Sequence, residues 1–347
     1  MNAQLYQLAK RFLFCLDPEV AHGLTLSGLR TAEHLHLTGL INGPRIEDPV
    51  TVMGLTFPNR VGLAAGMDKE ANTAAAFGHL GFGFVEVGTL TPLPQPGNPK
   101  PRLFRCIPQQ AIINHMGINN PGVERGVANI RRMKRFNGVL GVNISKNEFT
   151  PNEEAHKDYL TCLRAVWDVA DYVTINFSCP NVPNLQELAR ANSAADLLSL
   201  LKSEQANLAS ESGRYVPLVM KVSPDMGETQ IHELAQVFLD CQLDGLICTN
   251  TTTTRYGVEE HPAAKESGGL SGKPLYNRAN ETLEAFAKEL KGEIPIIGVG
   301  GITSAEDAVG KLKLGASLVQ LYSGFIFKGP QLVTDCAAAL RDAAAAK

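Results

Sequence analysis

Short apolar runs recur along this chain at a nearly constant interval, and that rhythm constrains the fold more than any other feature. The runs are Val61–Ala65, Phe84–Gly88, Val139–Ile144, Tyr172–Phe177, Leu218–Ser223, Gly245–Asn250, Ile294–Gly300 and Leu318–Ser323. They are β-branched and continuously apolar, as expected of strands in a sheet covered on both faces. Helical patterns follow most of them: Lys69–Leu80, His156–Val169, Ala195–Ala209, Thr229–Cys241, Ala279–Leu290, Ala305–Leu314 and Gln331–Ala344. Eight such units over about 290 residues argue for an α/β fold of the (β/α)8 TIM-barrel type, with a doubly wound open sheet as the alternative. Two connections are long, Thr89–Gly138 and Thr251 to Asn277. Long ordered loops in a compact domain usually carry function.

A different pattern precedes the barrel. Leu5, Leu8, Ala9, Phe12, Leu13 and Leu16 recur at helical spacing beside Lys10 and Arg11. A second helix starts at Asp17-Pro18-Glu19, with Asp17 as N-cap and Pro18 at the first helical position. Residues 1–45 therefore read as a two-helix extension and 46–347 as the barrel domain, entered through a hairpin, Pro49 to Phe57, that turns at Gly54. The extension either packs on the barrel or forms a peripheral membrane foot, and pattern alone favours packing.

With 347 residues and a net charge of −3, the chain can bury a large core and has no general electrostatic reason to bind nucleic acid. No run reaches the ~20 apolar residues of a membrane span, and the start of the chain lacks a secretory pattern. The 7 cysteines are dispersed without a Cys-x-x-Cys pair, which argues for reduced thiols and against an iron–sulfur or zinc site.

The strand ends carry the chemistry, because barrel active sites gather there. Strand four ends in Asn176-Phe177-Ser178-Cys179-Pro180-Asn181, which puts a thiol, a hydroxyl and amides in one turn. Cys179 in that company reads as reactive, whereas Cys15, Cys106, Cys162, Cys241, Cys248 and Cys336 read as packing. Lys69 and Lys221 supply cations, while Thr89, Asn143, Thr249, Asn250 and Thr251 supply polar groups. Gly300, Gly301, Tyr322, Ser323 and Gly324 follow strands seven and eight, where barrels commonly hold a phosphate. His115, in the Asn114–Asn120 loop, reads equally well as catalytic or as a polar loop residue.

Together these motifs resemble the dihydroorotate dehydrogenases, flavin mononucleotide (FMN) enzymes of pyrimidine synthesis. The resemblance spans nearly the whole chain. It rests on Gly62 to Lys69, Thr91-Pro92 with Gln95 to Arg102, Asn114 to Asn120, Asn143 to Asn147, the Cys179 motif, Lys221 to Asp225, Gly268 to Gly272 and Gly300-Gly301. Leu16 to Glu19 with Ala21-His22, and the two-helix extension, look like class 2, whose members are membrane-associated and reduce a quinone. That likeness reverses the pattern-only reading of the extension and makes it a membrane foot and quinone funnel. It also implies a peripheral protein on the cytoplasmic face of a bacterial membrane, a monomer with one FMN per subunit, and no metal.

The resemblance implies roles position by position. Ala65, Gly66, Met67, Asp68, Lys69, Thr89, Asn143, Asn176, Lys221, Thr249, Gly272, Gly301, Tyr322 and Ser323 would surround the flavin and its phosphate. Lys69, Asn114, His115, Met116, Gly117, Ile118, Asn176, Asn181, Asn250 and Thr251 would hold dihydroorotate or orotate. Cys179 takes the catalytic-base position, receiving a proton while a hydride goes to the flavin. The chain departs from its class there. Class 2 enzymes usually carry serine in a pattern Asn-x-Ser-Ser-Pro-Asn, whereas cysteine and the neighbouring Val182-Pro183-Asn184 look like the soluble class 1. Leu93 and His115 stand where class 2 commonly has arginine, and Ile118 where it has phenylalanine. Competing readings are a class 1-like soluble enzyme using fumarate or NAD, another FMN barrel acting on dihydropyrimidines or dihydrouridine, and a non-catalytic barrel.

Overall fold

Eight parallel strands close on themselves, the eighth pairing with the first through Val319↔Val61, Gln320↔Gly62 and Leu321↔Leu63. The computed structural model describes residues 3–35, 37, 45–134, 137–178, 180–181 and 185–346. In chain order the barrel strands are Val61–Leu63, Phe84–Leu90, Val139–Ile144, Tyr172–Asn176, Leu218–Val222, Gly245–Cys248, Ile296–Val299 and Ala316–Leu321. Each falls on an apolar run read from the sequence, so the TIM barrel stands and the open sheet does not.

Packing at the barrel floor explains two of the glycines. A Cβ on Gly62 would lie 2.3 Å from the Phe84 ring, and one on Gly141 would lie 2.2 Å from the Tyr172 ring. Strand glycines thus make room for aromatics inside a closed sheet. The predicted hairpin forms, with Val50–Val52 antiparallel to Leu55–Phe57. It plugs the floor by setting Phe57 edge-on to Phe84 at 5.2 Å between ring centres.

The long connections differ most from the expectation of loops. Leu103–Cys106 and Ala111–Asn114, both from the connection after strand two, pair with each other, and Ala111–Asn114 also pairs with Gly269–Gly272, from the connection after strand six. The resulting three-stranded antiparallel sheet roofs the barrel mouth. The first connection also contains an unpredicted helix, Val123–Arg132. The helix expected over Lys69–Leu80 is shorter, Ala74–His79. The Asp68 carboxylate accepts the Asn72 and Thr73 backbone N–H groups at 3.1 and 2.7 Å and holds that stretch in a loop instead.

Two helices precede the barrel: α1, Ala3–Cys15, and α2, Pro18–His34. Asp17 caps α2 as expected, accepting from the N–H groups of Glu19 and Val20 at 2.9 and 3.1 Å. Tyr6 OH and Lys10 Nζ of α1 donate to the carbonyls of Ile326 and Phe327 at 2.5 and 3.0 Å, which fastens the extension to the end of the barrel.

Candidate active site

The carboxyl ends of the barrel strands surround a cavity of about 140 Å³ beneath the antiparallel sheet. Ala65, Gly66, Lys69, Thr89, Asn176, Lys221 and Thr249 to Thr251 come to it from strands one, two, four, five and six. Gly300, Gly301, Gln320, Tyr322 and Ser323 come from the last two, and Asn114, Met116, Ile118, Ser271 and Gly272 hang from the roof.

Polar groups in the wall are wired together from inside the barrel. The buried Glu86 carboxylate accepts from Asn143 Nδ2 at 2.8 Å, Tyr172 OH at 3.0 Å and Gln320 Nε2 at 2.8 Å. Asn143 Oδ1 in turn accepts from Thr89 Oγ1 at 2.6 Å, and Thr89 Oγ1 accepts from Asn176 Nδ2 at 3.3 Å. Asn250 Nδ2 reaches both Asn176 Oδ1 and Ser178 Oγ, at 3.3 and 3.1 Å. A carboxylate that accepts several charge-assisted bonds fixes the amides around it, so these side chains present set donors and acceptors to whatever binds.

Lys69 lies in the cavity wall, its ammonium donating to the Gly66 carbonyl at 2.7 Å. Burial pushes its pKa down to about 8, against the opposing pull of the Glu19 carboxylate. Its residual exposure is to the cavity, which suits an anion entering there. At the other end, Gly301 adopts φ +76°, and a Cβ there would lie 2.4 Å from the Tyr276 Cα. Only glycine fits that approach, and it leaves backbone N–H groups beside Tyr322 and Ser323. Burial pushes the Tyr322 phenol up to about 12.

A second cavity, of about 190 Å³, opens between the barrel, α1 and α2. Its wall is almost wholly apolar, including Leu13, Phe14, Leu26, Phe77 and Phe325, with His22 and Arg105 among the few polar side chains. Tyr322 and the loop after strand one separate the two spaces: Tyr322 lines both cavities and its OH donates to the Gly66 carbonyl at 3.3 Å. Burial and the neighbouring Lys69 charge push the His22 pKa down to about 3, which keeps the ring neutral. Arg105 Nη1 donates to the Leu13 carbonyl at 3.1 Å, and its guanidinium lies 4.8 Å from the centre of the Phe14 ring.

Residues 49–343 match the family model for dihydroorotate dehydrogenase. The chain belongs to the dihydroorotate dehydrogenase family. It is 62% identical over 341 residues to the "Dihydroorotate dehydrogenase (quinone)" of Akkermansia muciniphila, covering 98% of each chain. Identity to the protein of the same description from Chromobacterium violaceum is 53% over 335 residues, covering 96% of this chain and 97% of that one. A crystal structure of DHODH from Eimeria tenella in complex with ferulenol superposes with a TM-score of 0.86 at 35% identity, covering 93% of this chain and 90% of that one. The class 2 reading of the sequence therefore stands.

Dihydroorotate dehydrogenases are flavin-dependent, and the mouth cavity suits a flat heteroaromatic ring. Gln320 spends its amide N–H on Glu86, and its Oε1, buried on the cavity wall, has no protein partner. An orphaned buried acceptor calls for an N–H donor from a ligand.

The structure gathers most of the residues singled out from the sequence, but not all at the cavity surface. Met67 faces the apolar cavity instead. The Asp68 side chain holds its own loop, and burial raises its pKa. Asn143 sits one layer down, between Glu86 and Thr89. The His115 ring turns outward against the Ser267 carbonyl at 3.2 Å. The Gly117 carbonyl accepts from Gln95 Nε2 in the wall behind the roof. Cys179 lies outside the described residues. Among wall residues not singled out are Gln320, Leu275 and Ser271. Gln320 was detectable as the one strongly polar side chain in the apolar run Leu318–Leu321.

Proposed function

We propose that this dehydrogenase oxidises dihydroorotate to orotate in the mouth cavity and passes the electrons to a quinone in the apolar cavity. The carrying observation is that a polar and an apolar cavity abut, with Tyr322 in the wall of both. A two-electron carrier seated against Tyr322 would face a hydrophilic donor on one side and a lipophilic acceptor on the other.

We assign the flavin as FMN. Ala65, Gly66, Thr89, Lys221, Thr249 and Gly272 would hold its ring and ribityl chain, while Gly301, Tyr322 and Ser323 would offer donors to its phosphate. When bound, the flavin supplies a hydride acceptor and an electron carrier. Removing a hydride from one ring carbon of dihydroorotate and a proton from its neighbour calls for a base on the opposite ring face. Cys179, within the Asn176 to Asn181 segment, is that base. Asn114, Asn176, Asn181 and Asn250 suit the substrate's alternating N–H and C=O edge, since each amide carries both a donor and an acceptor. Asn181 Nδ2 donates to Asn114 Oδ1 at 2.9 Å, which joins two of them directly. Lys69 meets the substrate carboxylate.

Residues 1–45 form the quinone entrance and the membrane foot, placing the protein on the cytoplasmic face of the membrane. Leu8, Phe12, Val20 and Leu24 are exposed on α1 and α2, an apolar surface suited to the bilayer interface. No helix among the described residues is long and apolar enough to cross a membrane.

Anaerobic titration of the yellow protein with dihydroorotate tests the first half of this assignment, and bleaching of the flavin band is expected. Recovery of colour on adding a quinone, but not fumarate or NAD, tests the second. A flavin that dihydroorotate leaves oxidised would overturn the assignment.

A further inference from the structure

The guanidinium of Arg102 joins α2 to the loop that forms the substrate side of the site. Its Nε and Nη2 grip both carboxylate oxygens of Glu19, at 3.2 and 2.8 Å. Its Nη1 donates to the carbonyls of Pro96 at 2.7 Å, Asn98 at 2.8 Å and Met116 at 3.5 Å. The Arg102 side chain is 6% exposed and that of Glu19 is 18% exposed. Lys100 Nζ also approaches Glu19, at 3.3 Å, but is 68% exposed and contributes little.

The contacts continue to the cavity. Asn98 N donates to the Met116 carbonyl at 3.0 Å, and Met116 lines the cavity. Asn98 Nδ2 donates to the His115 carbonyl at 2.8 Å and reaches the Asn181 carbonyl at 3.4 Å. There is no slack at this point: a Cβ on Gly97 would lie 2.2 Å from the Met116 carbonyl oxygen and 2.9 Å from Arg102 Nη1. A buried guanidinium that loses its carboxylate becomes an uncompensated charge and must move toward water. It would take the three carbonyls with it.

The attachment of α2 to the barrel makes this pair decisive. Among its residues the helix buries Ala21 and Leu26, Leu26 reaching the barrel core with Leu29 packed against it, and much of its inner face lines an apolar cavity. Its further polar ties to the barrel are a part-buried bond from Arg30 Nη1 to Asn72 Oδ1 at 2.9 Å and the attraction of Glu33 to His79 and Lys134. Burial works against ionisation of Glu19, but the hydrogen bonds and charges of Arg102 and Lys100 hold its pKa below the usual carboxylate value, so it is an anion at neutral pH.

We infer that Glu19 and Arg102 are positioning residues for dihydroorotate: the seat of the N-terminal helix sets the geometry of the substrate loop. The helical layer then serves both half-reactions, walling the acceptor's cavity on one side and bracing the donor's on the other. A planar fork is required for this, since a lysine could hold either the carboxylate or the carbonyls but not both.

This inference rests on the reading of the mouth cavity as the dihydroorotate site, and one experiment separates the two. Flavin-loaded wild type and Glu19→Gln are titrated with orotate, following the flavin absorbance band. Steady-state KM for dihydroorotate is measured with a water-soluble dye as acceptor. Glu19→Gln is expected to raise the orotate Kd and the dihydroorotate KM together, by about five-fold or more, with kcat within about two-fold. A variant with wild-type orotate Kd and dihydroorotate KM, or one in which only kcat changes, overturns the inference and leaves the function intact. Wild type that does not bind orotate overturns both. If Glu19→Gln fails to fold by circular dichroism, Arg102→Lys is put through the same titration, with the same rise expected and the same unchanged result overturning the inference.

Discussion

The Thr89 hydroxyl donates to the Asn143 amide oxygen across 2.6 Å, and that amide is itself oriented by the buried carboxylate of Glu86. The direction of the Thr89 hydroxyl at the cavity wall is therefore decided inside the barrel. With its proton committed downward, the Thr89 oxygen is left to accept, and it does so from Asn176 Nδ2 at 3.3 Å. The end of strand four, where the Cys179 segment begins, inherits its orientation from a charge that no solvent reaches.

Glu86→Ala is expected to be among the most damaging single changes that leave the cavity lining untouched. It would strand the donors of Asn143, Tyr172 and Gln320, all buried. An unsatisfied buried donor costs about 1–3 kcal/mol, so a loss of roughly 3 kcal/mol or more is expected in urea unfolding, together with release of flavin. Glu86→Gln keeps the volume but turns an N–H toward at least one donor, and about half that loss is expected. An alanine variant with wild-type stability and flavin content would disprove the role of this carboxylate.

Lys69 provides a pH dependence with a defined sign. Burial holds its folded pKa near 8, below the ordinary lysine value of about 10.4. Attraction of the substrate carboxylate needs the ammonium form, so KM for dihydroorotate should be lowest below pH 8 and rise as the pH passes through that value. Stability should move oppositely. Between about 8 and 10.4 the unfolded chain binds the proton that the folded chain has lost, so this residue makes the fold more stable as pH rises through that window. Lys69→Met should raise KM by at least about ten-fold at pH 7 and flatten the alkaline limb. A limb that persists unchanged in Lys69→Met assigns it to another group.

Cys179 differs from the serine usual in class 2, and the difference should appear in the rate of flavin reduction. A thiol has a reference pKa of about 8.5, far closer to neutrality than a hydroxyl, so it loses its own proton to become the thiolate base with less help from a relay. Stopped-flow reduction by dihydroorotate should slow in Cys179→Ser by about 100-fold at pH 7, the scale of one well-placed general base. The rate should also depend more steeply on pH. Identical rates and profiles for the two proteins would remove cysteine from the proton-transfer step.

How much of this was legible in the sequence depended on how local the signal was. The barrel strands were legible because a covered strand is apolar at every position, as in Val139 to Ile144. The N-cap at Asp17 was legible because its partners are two and three residues away. The roof sheet was not, since Gly269–Gly272 is half glycine and meets Ala111–Asn114 only through the closed barrel. Helix Val123–Arg132 was passed over inside a connection read as loop. The Glu19–Arg102 pair, 83 residues apart, left no trace in periodicity. The placement of Gly301 and Lys221 at the mouth, by contrast, could be anticipated, because both sit at strand ends whatever surrounds them.

The exposed side chains of the N-terminal helices give the last prediction. Leu8 and Phe12 are 66% and 65% exposed on α1, four residues apart and hence on one helical face. Val20 and Leu24 repeat that spacing on α2 and are also exposed. A monomeric soluble protein gains nothing from such a surface, whereas a bilayer interface would cover it at about 25 cal/mol per Å² of apolar area. Replacing Leu8 and Phe12 by aspartate should abolish co-sedimentation with vesicles. It should also raise KM for a long-chain quinone presented in those vesicles by about ten-fold. Flavin reduction by dihydroorotate should stay within about two-fold of wild type, because neither residue lines either cavity or is among the partners of Arg102. Vesicle binding that survives the double substitution would mean that another surface meets the membrane.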